Sequence, residues 1–206
     1  MRYSIQASGE SRSFPSGDPF LAGASPSAEA DVLIYLGTPA ALKAAKKAVL
    51  IELRNECLAE HVDETDPGGA NVLGFCRYRN GADPPSKLIE IVRLSNTKGD
   101  AVDAAKAVFE LAGLTVVVCA DQPGRILDRL LRPKYNAALR FLDEGLATAK
   151  DMDTTCRLGL GYPDGPIERV VRGGLAYHYE VTRALFETYG TPAYAPPRRA
   201  VAAKHH

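Results

Sequence analysis

The cysteines and histidines are the side chains in this sequence best suited to nucleophilic, redox or metal chemistry. The four cysteines lie far apart, with no C-x-x-C pair and no histidine at zinc-ligand spacing, at Cys57, Cys76, Cys119 and Cys156. His61 lies in a polar stretch and His178 lies between two tyrosines, and neither has the neighbours of a catalytic triad or a metal site. We therefore expect reduced, structural thiols and no bound metal.

The glycine-rich stretch RLGLGYPDGPIE, at 157–168, is a second candidate. Gly159 and Gly161 have the G-x-G spacing of a dinucleotide fingerprint, but that motif needs its third glycine at Asp164 and the chain has Gly165. No strand pattern precedes it, although the fingerprint requires one. The stretch is predicted to be a shaped turn between helices.

The overall composition is typical of a soluble globular protein. Among 206 residues, 46% are apolar and 24% charged, and the 25 basic side chains equal the 25 acidic ones in number. This balance gives no basic field for nucleic acid, and no apolar run is long enough to cross a bilayer. We expect a cytoplasmic protein with neither nucleic acid nor membrane as a partner.

The first 120 residues predict a short strand, a leader and an α/β layer. Residues 1–30 combine an alternating strand pattern at 2–8 with a flexible leader rich in Ser, Gly and Pro. Residues 31–120 form the α/β region: DVLIYLG, VLGFCRY, LIEIVRL and LTVVVCA predict strands, and TPAALKAAKKAVLIEL predicts a helix. A second helix is expected to open at Thr97 with Asp100 in a capping-box pattern.

From residue 121 to residue 206 the pattern is helical. Apolar residues keep helical spacing through a long segment that Pro133 should kink. The predicted boundaries of the later helices are a cap at Thr148 with closure at Gly159, a start at Pro166, an interruption at Gly173 and Gly174, and an end at Gly190.

Two segments of this helical region resemble a known family. DQPGRILDRLLRPKYNAALRFLDEG and DMDTTCRLGLGYPDGPIE, with the tail PAYAPPRRAV, are similar to segments of the 3-hydroxyacyl-CoA dehydrogenases, which oxidise 3-hydroxyacyl thioesters with NAD. The resemblance covers residues 121–200. It implies a Rossmann-like half followed by an all-α, 6-phosphogluconate-dehydrogenase-like C-terminal domain that shapes the acyl site and pairs subunits as a homodimer.

The resemblance is weaker in the α/β region. ADVLIYLGTPAALKAAKKAVLIEL and VLGFCRYRNGADPPSKLIEIV follow family segments, with two extra residues in the second. The family's first strand, G-x-G-x-x-G turn and following helix have no counterpart in this sequence. We therefore expect a truncated Rossmann-like domain and no NAD bound by this chain alone.

The resemblance also locates the family's catalytic His–Glu pair. Glu90 falls on the glutamate, but the histidine position falls on Cys76, or on Phe75 or Arg77 if the two extra residues are placed differently. A thiol, with an ordinary pKa of about 8.5 that a neighbouring carboxylate raises, is a poor proton acceptor.

The family's substrate-binding asparagine is replaced by Asp128. An ionised carboxylate only accepts hydrogen bonds, so Asp128 could donate only if protonated, which proximity to Glu90 would favour; otherwise it is a solvated or Arg129-paired helix residue.

Two hypotheses about the function of the chain follow. One is a catalytically impaired scaffold or acyl-CoA-binding homodimer. The other is an active oxidoreductase that converts 3-hydroxyacyl-CoA to 3-oxoacyl-CoA with NAD bound atypically or supplied by another chain.

Overall fold

The computed structural model describes residues 1–37, 42 and 45–205, and the chain divides into two compact units. Unit 1 comprises residues 1–79 and 85–125. Unit 2 comprises residues 80–84 and 126–206, so the tip of one strand connection belongs to the helical unit.

Unit 1 is built on a six-stranded mixed sheet whose spatial order follows the chain order. The strands are β1 (Tyr3–Ala7), β2 (Val32–Leu36), β3 (Ala48–Glu52), β4 (Val72–Arg77), β5 (Leu88–Arg93) and β6 (Thr115–Ala120). Strands β1 to β4 run parallel, β5 is antiparallel to β4, and β6 is parallel to β5. All of these strands except β3 are at the positions that the sequence predicts, and β1 lies at the edge of the sheet.

The helix predicted from TPAALKAAKKAVLIEL is wrong where the structure describes that segment. Residues 48–52 form β3, and residues 38–41 and 43–44 lie outside the described residues. Every residue of β3 is buried between β2 and β4. A strand buried on both faces is an uninterrupted apolar run, and such a run also satisfies helical spacing, so the pattern could not distinguish the two.

The stretch between β1 and β2 is packed into the core of unit 1, although its composition predicts a flexible leader. It contains the single-turn helix α1 (Pro19–Ala22) and a 3-10 turn at Ser27–Glu29. The rings of Phe14 and Phe20 are buried and stack with their centroids 4.3 Å apart. Asp18 forms an ion pair with Arg77 at 2.7 Å, with both side chains about 10% exposed. These contacts anchor the stretch to β4.

The long helix of unit 1, α2 (Gly99–Leu111), packs on the same face of the sheet as the aromatic rings. The predicted capping box at Thr97 is wrong: Lys98 is the N-cap and its side chain makes no capping hydrogen bond. Thr97 Oγ1 instead accepts a hydrogen bond from the backbone N–H of Leu94 at 2.9 Å, which tightens the turn that leaves β5.

Unit 2 is helical. Its helices are α3 (Leu127–Asp143), α4 (Ala149–Leu160), α5 (Pro166–Arg172), α6 (Leu175–Tyr189) and α7 (Arg198–Ala203), with a 3-10 turn at Pro192–Tyr194. The predicted cap at Thr148, the start at Pro166 and the end at Gly190 are confirmed. The predicted end at Gly159 is wrong, because α4 continues to Leu160 and closes at Gly161, which has a left-handed φ of 69°. Helix α7 was not predicted.

One buried apolar cluster of unit 2 lies between α3 and α5. It consists of Tyr135, Ala138, Leu139, Ile167 and Val170. None of the helices in the described ranges has the length and apolarity that a bilayer crossing requires.

Candidate functional site

The carboxyl ends of β1, β2 and β3 meet at one edge of the sheet in unit 1 and border a cavity of about 560 Å³. The cavity is lined by Ser8, Gly9, Glu10, Gly37, Glu52, Arg54, Glu56 and His61. Ligands of open α/β sheets bind outside the carboxyl ends of the strands, because the loops that follow the strands converge there. The position of this cavity makes it the candidate site of unit 1.

Glu52, the last residue of β3, holds two walls of the cavity together. Glu52 is 6% exposed. Oε1 accepts hydrogen bonds from Ser11 Oγ at 2.9 Å and from the Ser13 backbone N–H at 2.8 Å, and Oε2 accepts from the Gly37 N–H at 3.3 Å. A buried carboxylate needs such donors. Glu52 therefore fixes the segments that follow β1 and β2.

The segment after β3 forms part of the cavity lining, and it is held by two residues that follow β6, Asp121 and Arg125. Arg125 has a φ of 49°, the positive value that a non-glycine residue adopts only when its surroundings impose it. Its buried guanidinium donates to the backbone carbonyls of Arg54 and Glu56. Asp121 accepts from the N–H groups of Leu58 and Ala59 at 2.8 and 2.9 Å. Sequence reasoning missed both supports, because they join residues more than 60 positions apart.

His61 lines the cavity beside an acidic residue. Its Nε2 lies 3.7 Å from Glu56 Oε1, and the imidazole is 17% exposed. Nε2 is buried and has no hydrogen-bond partner in the part of the chain that the structure describes. The sequence indicated only a polar stretch around His61, so its position in a cavity wall is a finding of the structure.

The structure brings Cys76 and Glu90 together. The two residues are directly opposite in the antiparallel pair β4–β5, and the thiol donates to Glu90 Oε2 at 3.4 Å. Glu90 is buried, with 4% of its surface exposed. Of the three positions considered for the family's histidine, Phe75 packs on Phe109 with centroids 5.4 Å apart, and Arg77 pairs with an aspartate. Cys76 is therefore the one beside the carboxylate.

Two other thiols of unit 1 have strongly raised pKa values. Burial, reinforced by the Glu90 carboxylate, raises the pKa of Cys119 to about 11. Burial and the Asp121 carboxylate raise the pKa of Cys57 to about 11. Thiols of this kind stay protonated at neutral pH and are poor nucleophiles.

Asp128 lies in the other unit, on α3. Its Oδ1 accepts from Arg132 Nε at 2.8 Å and forms an ion pair with Arg132 Nη2 at 2.7 Å. The proposed pairing with Arg129 is wrong, because the Arg129 guanidinium lies over the Tyr189 ring, 4.6 Å from its centroid. Asp128 thus acts as the anchor of a buried guanidinium.

The Arg132 guanidinium is the first group in a chain of buried hydrogen bonds that connects α3, α6 and the 3-10 turn after α6. Arg132 Nη1 lies 3.1 Å from His178 Nδ1, and His178 Nε2 lies 2.8 Å from Asn136 Oδ1. A guanidinium only donates, so Nδ1 accepts and Nε2 carries the proton. Asn136 Nδ2 donates to Thr182 Oγ1 at 2.7 Å and to the Ala193 carbonyl at 2.8 Å.

Burial, and secondarily the charge of Arg132, lowers the pKa of His178 to about 3. The imidazole is therefore neutral at physiological pH, as its role as an acceptor requires. His178 is therefore a buried, hydrogen-bonded structural residue of unit 2.

Comparison with known proteins agrees with this architecture. A family model described as "3-hydroxyacyl-CoA dehydrogenase, C-terminal domain" matches residues 124–205. A probable 3-hydroxyacyl-CoA dehydrogenase of Caenorhabditis elegans is 40% identical over 85 residues, which are 41% of this chain and 28% of the relative. A mitochondrial hydroxyacyl-coenzyme A dehydrogenase of Sus scrofa is 37% identical over 92 residues, 45% of this chain and 29% of the relative. These matches span less than a third of either relative.

A solved structure extends the similarity to both units. The (S)-3-hydroxybutyryl-CoA dehydrogenase of Ralstonia eutropha superposes with a TM-score of 0.73 at 23% identity. The superposition covers 85% of this chain and 66% of that structure. At this identity the likeness establishes the fold: a Rossmann-like sheet followed by a helical domain.

Proposed function

Because the chain belongs to the 3-hydroxyacyl-CoA dehydrogenase family through its C-terminal domain, we propose that it is a catalytically impaired member that binds acyl-CoA as a homodimer. The observation that carries the proposal is the thiol of Cys76 beside Glu90. Oxidation of a secondary alcohol requires a base for the hydroxyl proton, and an imidazole held by a carboxylate suits that task. A thiol that donates its own hydrogen to the carboxylate does not.

The described segment after β1 does not have the elements of a conventional dinucleotide site. Such a site requires a strand, a close glycine turn and a helix whose N-terminus faces the pyrophosphate. Residues 8–31, all within the described ranges, contain only the four-residue α1 and a 3-10 turn at Ser27–Glu29. Glu10 and Glu52 also line the cavity beyond β1, where a pyrophosphate would meet negative charge.

Titration with acetoacetyl-CoA and with NADH tests the proposal. We expect acetoacetyl-CoA to give saturable heat by calorimetry and NADH to give none, with or without the thioester. The double variant Cys76→His, Asp128→Asn restores the two polar groups but supplies no nucleotide site, so it should oxidise no NADH. Saturable NADH binding, or loss of NADH absorbance with acetoacetyl-CoA, would instead support the alternative of an active oxidoreductase, which family membership favours.

The homodimer is proposed from the apolar surface of unit 2. Among the described residues of unit 2, the large apolar residues that are more than half exposed are Leu130, Leu146, Leu158, Leu160 and Val171. Apolar side chains of this number on a small helical unit favour burial against a second copy. We expect a sedimentation mass of twice 22.1 kDa at micromolar concentration.

Leu158→Glu should shift that mass toward the monomer, because Leu158 on α4 is 84% exposed. Leu111→Glu is the matched control: Leu111 is 72% exposed at the end of α2 in unit 1. A wild-type chain that sediments as a monomer would refute the dimer.

We also propose a cytoplasmic location. The four thiols are free, which suits a reducing compartment. The Sus scrofa relative is named as mitochondrial, so fractionation of cells that express the tagged chain is the appropriate test.

A further inference from the structure

We propose that the outer edge of β6 pairs with β6 of a second copy of this chain, so that the sheet continues in the antiparallel direction across a two-fold axis. Strand β6 is the last of the six strands in spatial order, and no described strand lies on its outer side. The contact is separate from acyl-CoA binding and from the pairing proposed for unit 2, because β6 belongs to unit 1.

The backbone of β6 presents a row of hydrogen-bonding groups on that outer side. The N–H groups of Thr115 and Asp121 donate to backbone carbonyls just before the start of β5 and at its end, at 2.8 and 3.1 Å. Successive residues of a strand direct their backbone groups to opposite sides, so Val116, Val118 and Ala120 direct theirs outward. Among the described residues these outward groups have no backbone partner.

The edge of β6 also lacks the features that usually prevent strands from pairing. Exposed edges are commonly protected by a charged residue, a proline, a bulge or a covering segment. The sequence of β6, TVVVCA, contains neither a charge nor a proline, and its register with β5 is unbroken over all six residues. Thr115 and Ala120 are exposed, and Val118 is 37% exposed. An apolar edge of this kind favours addition of another strand.

The opposite edge of the sheet is protected where β1 begins. The Ser25 N–H donates to the Tyr3 carbonyl at 2.7 Å, on the side of β1 that faces away from β2. The Tyr3 ring stacks on Phe20 with the centroids 4.5 Å apart. The stretch between β1 and β2 therefore covers the start of that edge, whereas no described segment does the same for β6.

A second copy of β6 suits this edge because the strand is complementary to itself. A two-fold axis at Val118 places Val118 opposite its own equivalent and Val116 of one copy opposite Ala120 of the other. Each such pair exchanges two backbone hydrogen bonds. Since β6 carries no charge, no like charges come to lie opposite each other.

The size of the contact predicts that it is weak. A strand of six residues is about 20 Å long. Two paired strands of this length bury less than the roughly 1,000 Å² that a stable interface requires. We therefore expect the contact to form near millimolar concentration of the chain and to be absent at micromolar concentration.

Sedimentation at micromolar to millimolar concentration, combined with amide hydrogen exchange, tests the inference. We expect the wild-type mass to rise about twofold across this range, because an isologous contact joins copies in pairs. Exchange at the N–H groups of Val116, Val118 and Ala120 should slow over the same range. Exchange at Thr115, whose N–H is already bonded within the chain, should stay unchanged.

Two variants of one residue remove the contact by different means. Val118→Lys should abolish both effects, because it sets two ammonium groups opposite each other across the axis. Val118→Pro should do the same, since it removes an outward N–H and leaves the ladder to β5 intact. Gln6→Lys is the matched control: it adds a lysine at an exposed position of β1 and should retain both effects.

A wild-type mass that stays constant up to millimolar concentration would overturn the inference. So would a rise in mass that Val118→Lys retains, or one without slower exchange at the three outward N–H groups, because the association would then belong to another surface. Leu158→Glu should lower the micromolar mass yet keep the rise at high concentration, which separates this contact from the pairing of unit 2. None of these results depends on whether acetoacetyl-CoA binds.

Discussion

Replacement of Gly165 by alanine is expected to destabilise unit 2 severely. A Cβ atom at this position would overlap both Cβ and Cγ of Asp153. Asp153 is 5% exposed, and its oxygens accept from the N–H groups of Ile167 and Glu168 at 2.8 and 3.0 Å, so it caps the start of α5. The overlap must either push α4 away from α5 or uncap α5. Overpacking and loss of a buried cap together cost about 2–4 kcal/mol of unfolding free energy.

Gly159→Ala is the matched control within the same stretch. Gly159 lies inside α4, and an added Cβ would meet no atom within 4 Å. Alanine in a helix interior is favoured over glycine by about 0.5–1 kcal/mol, so this variant should unfold at slightly higher urea concentration than the wild type. Circular dichroism during urea denaturation measures both variants. Equal midpoints for the two would contradict the close approach of α4 to Gly165.

These two glycines show what the sequence could predict about the loop. The density of Gly and Pro at 157–168 correctly indicates a shaped turn, and Pro166 correctly marks the start of α5. The importance of Gly165 was not predictable, because its φ of −77° is ordinary and the reason for a glycine lies in a side chain twelve positions earlier. The residues that form a turn can be recognised from the local sequence, whereas a glycine required by a side chain of another helix cannot.

The Cys76–Glu90 pair and the cavity also differ in how much of each could be predicted from the sequence. The sequence, through the family resemblance, limited the partner of Glu90 to Cys76, Phe75 or Arg77, and the register of β4 against β5 identifies it as Cys76. The cavity was not predictable, since Ser8, Glu52 and His61 come from three separate segments that only the parallel order of β1, β2 and β3 brings together. The error in β3 also hid Glu52, because a helix would have directed that side chain elsewhere.

A pH-dependent loss of stability in unit 2 is the last expected result, and it follows from His178. Its imidazole is 1% exposed and must accept from Arg132, so protonation would set an N–H against a guanidinium and break the bonds that join α3 to α6. The unfolded chain has an ordinary histidine pKa of about 6.5, whereas the folded value is about 3. Between pH 3 and about pH 6.5, therefore, the His178 imidazole is protonated in the unfolded chain but not in the folded one.

Stability from the neutral imidazole is therefore fully present above pH 6.5 and is lost as the pH falls toward 3, by up to about 1.4 kcal/mol per pH unit. Melting temperatures of the wild type and of His178→Gln between pH 7.5 and about pH 4 measure this, with His61→Gln as the control. The His178 variant should be less stable at neutral pH, because it disturbs the buried bonds to Arg132 and Asn136, yet its stability should fall less steeply with acid. Parallel curves for the wild type and His178→Gln would show that His178 is not the group that titrates, and a reduced slope in His61→Gln alone would assign the dependence to unit 1.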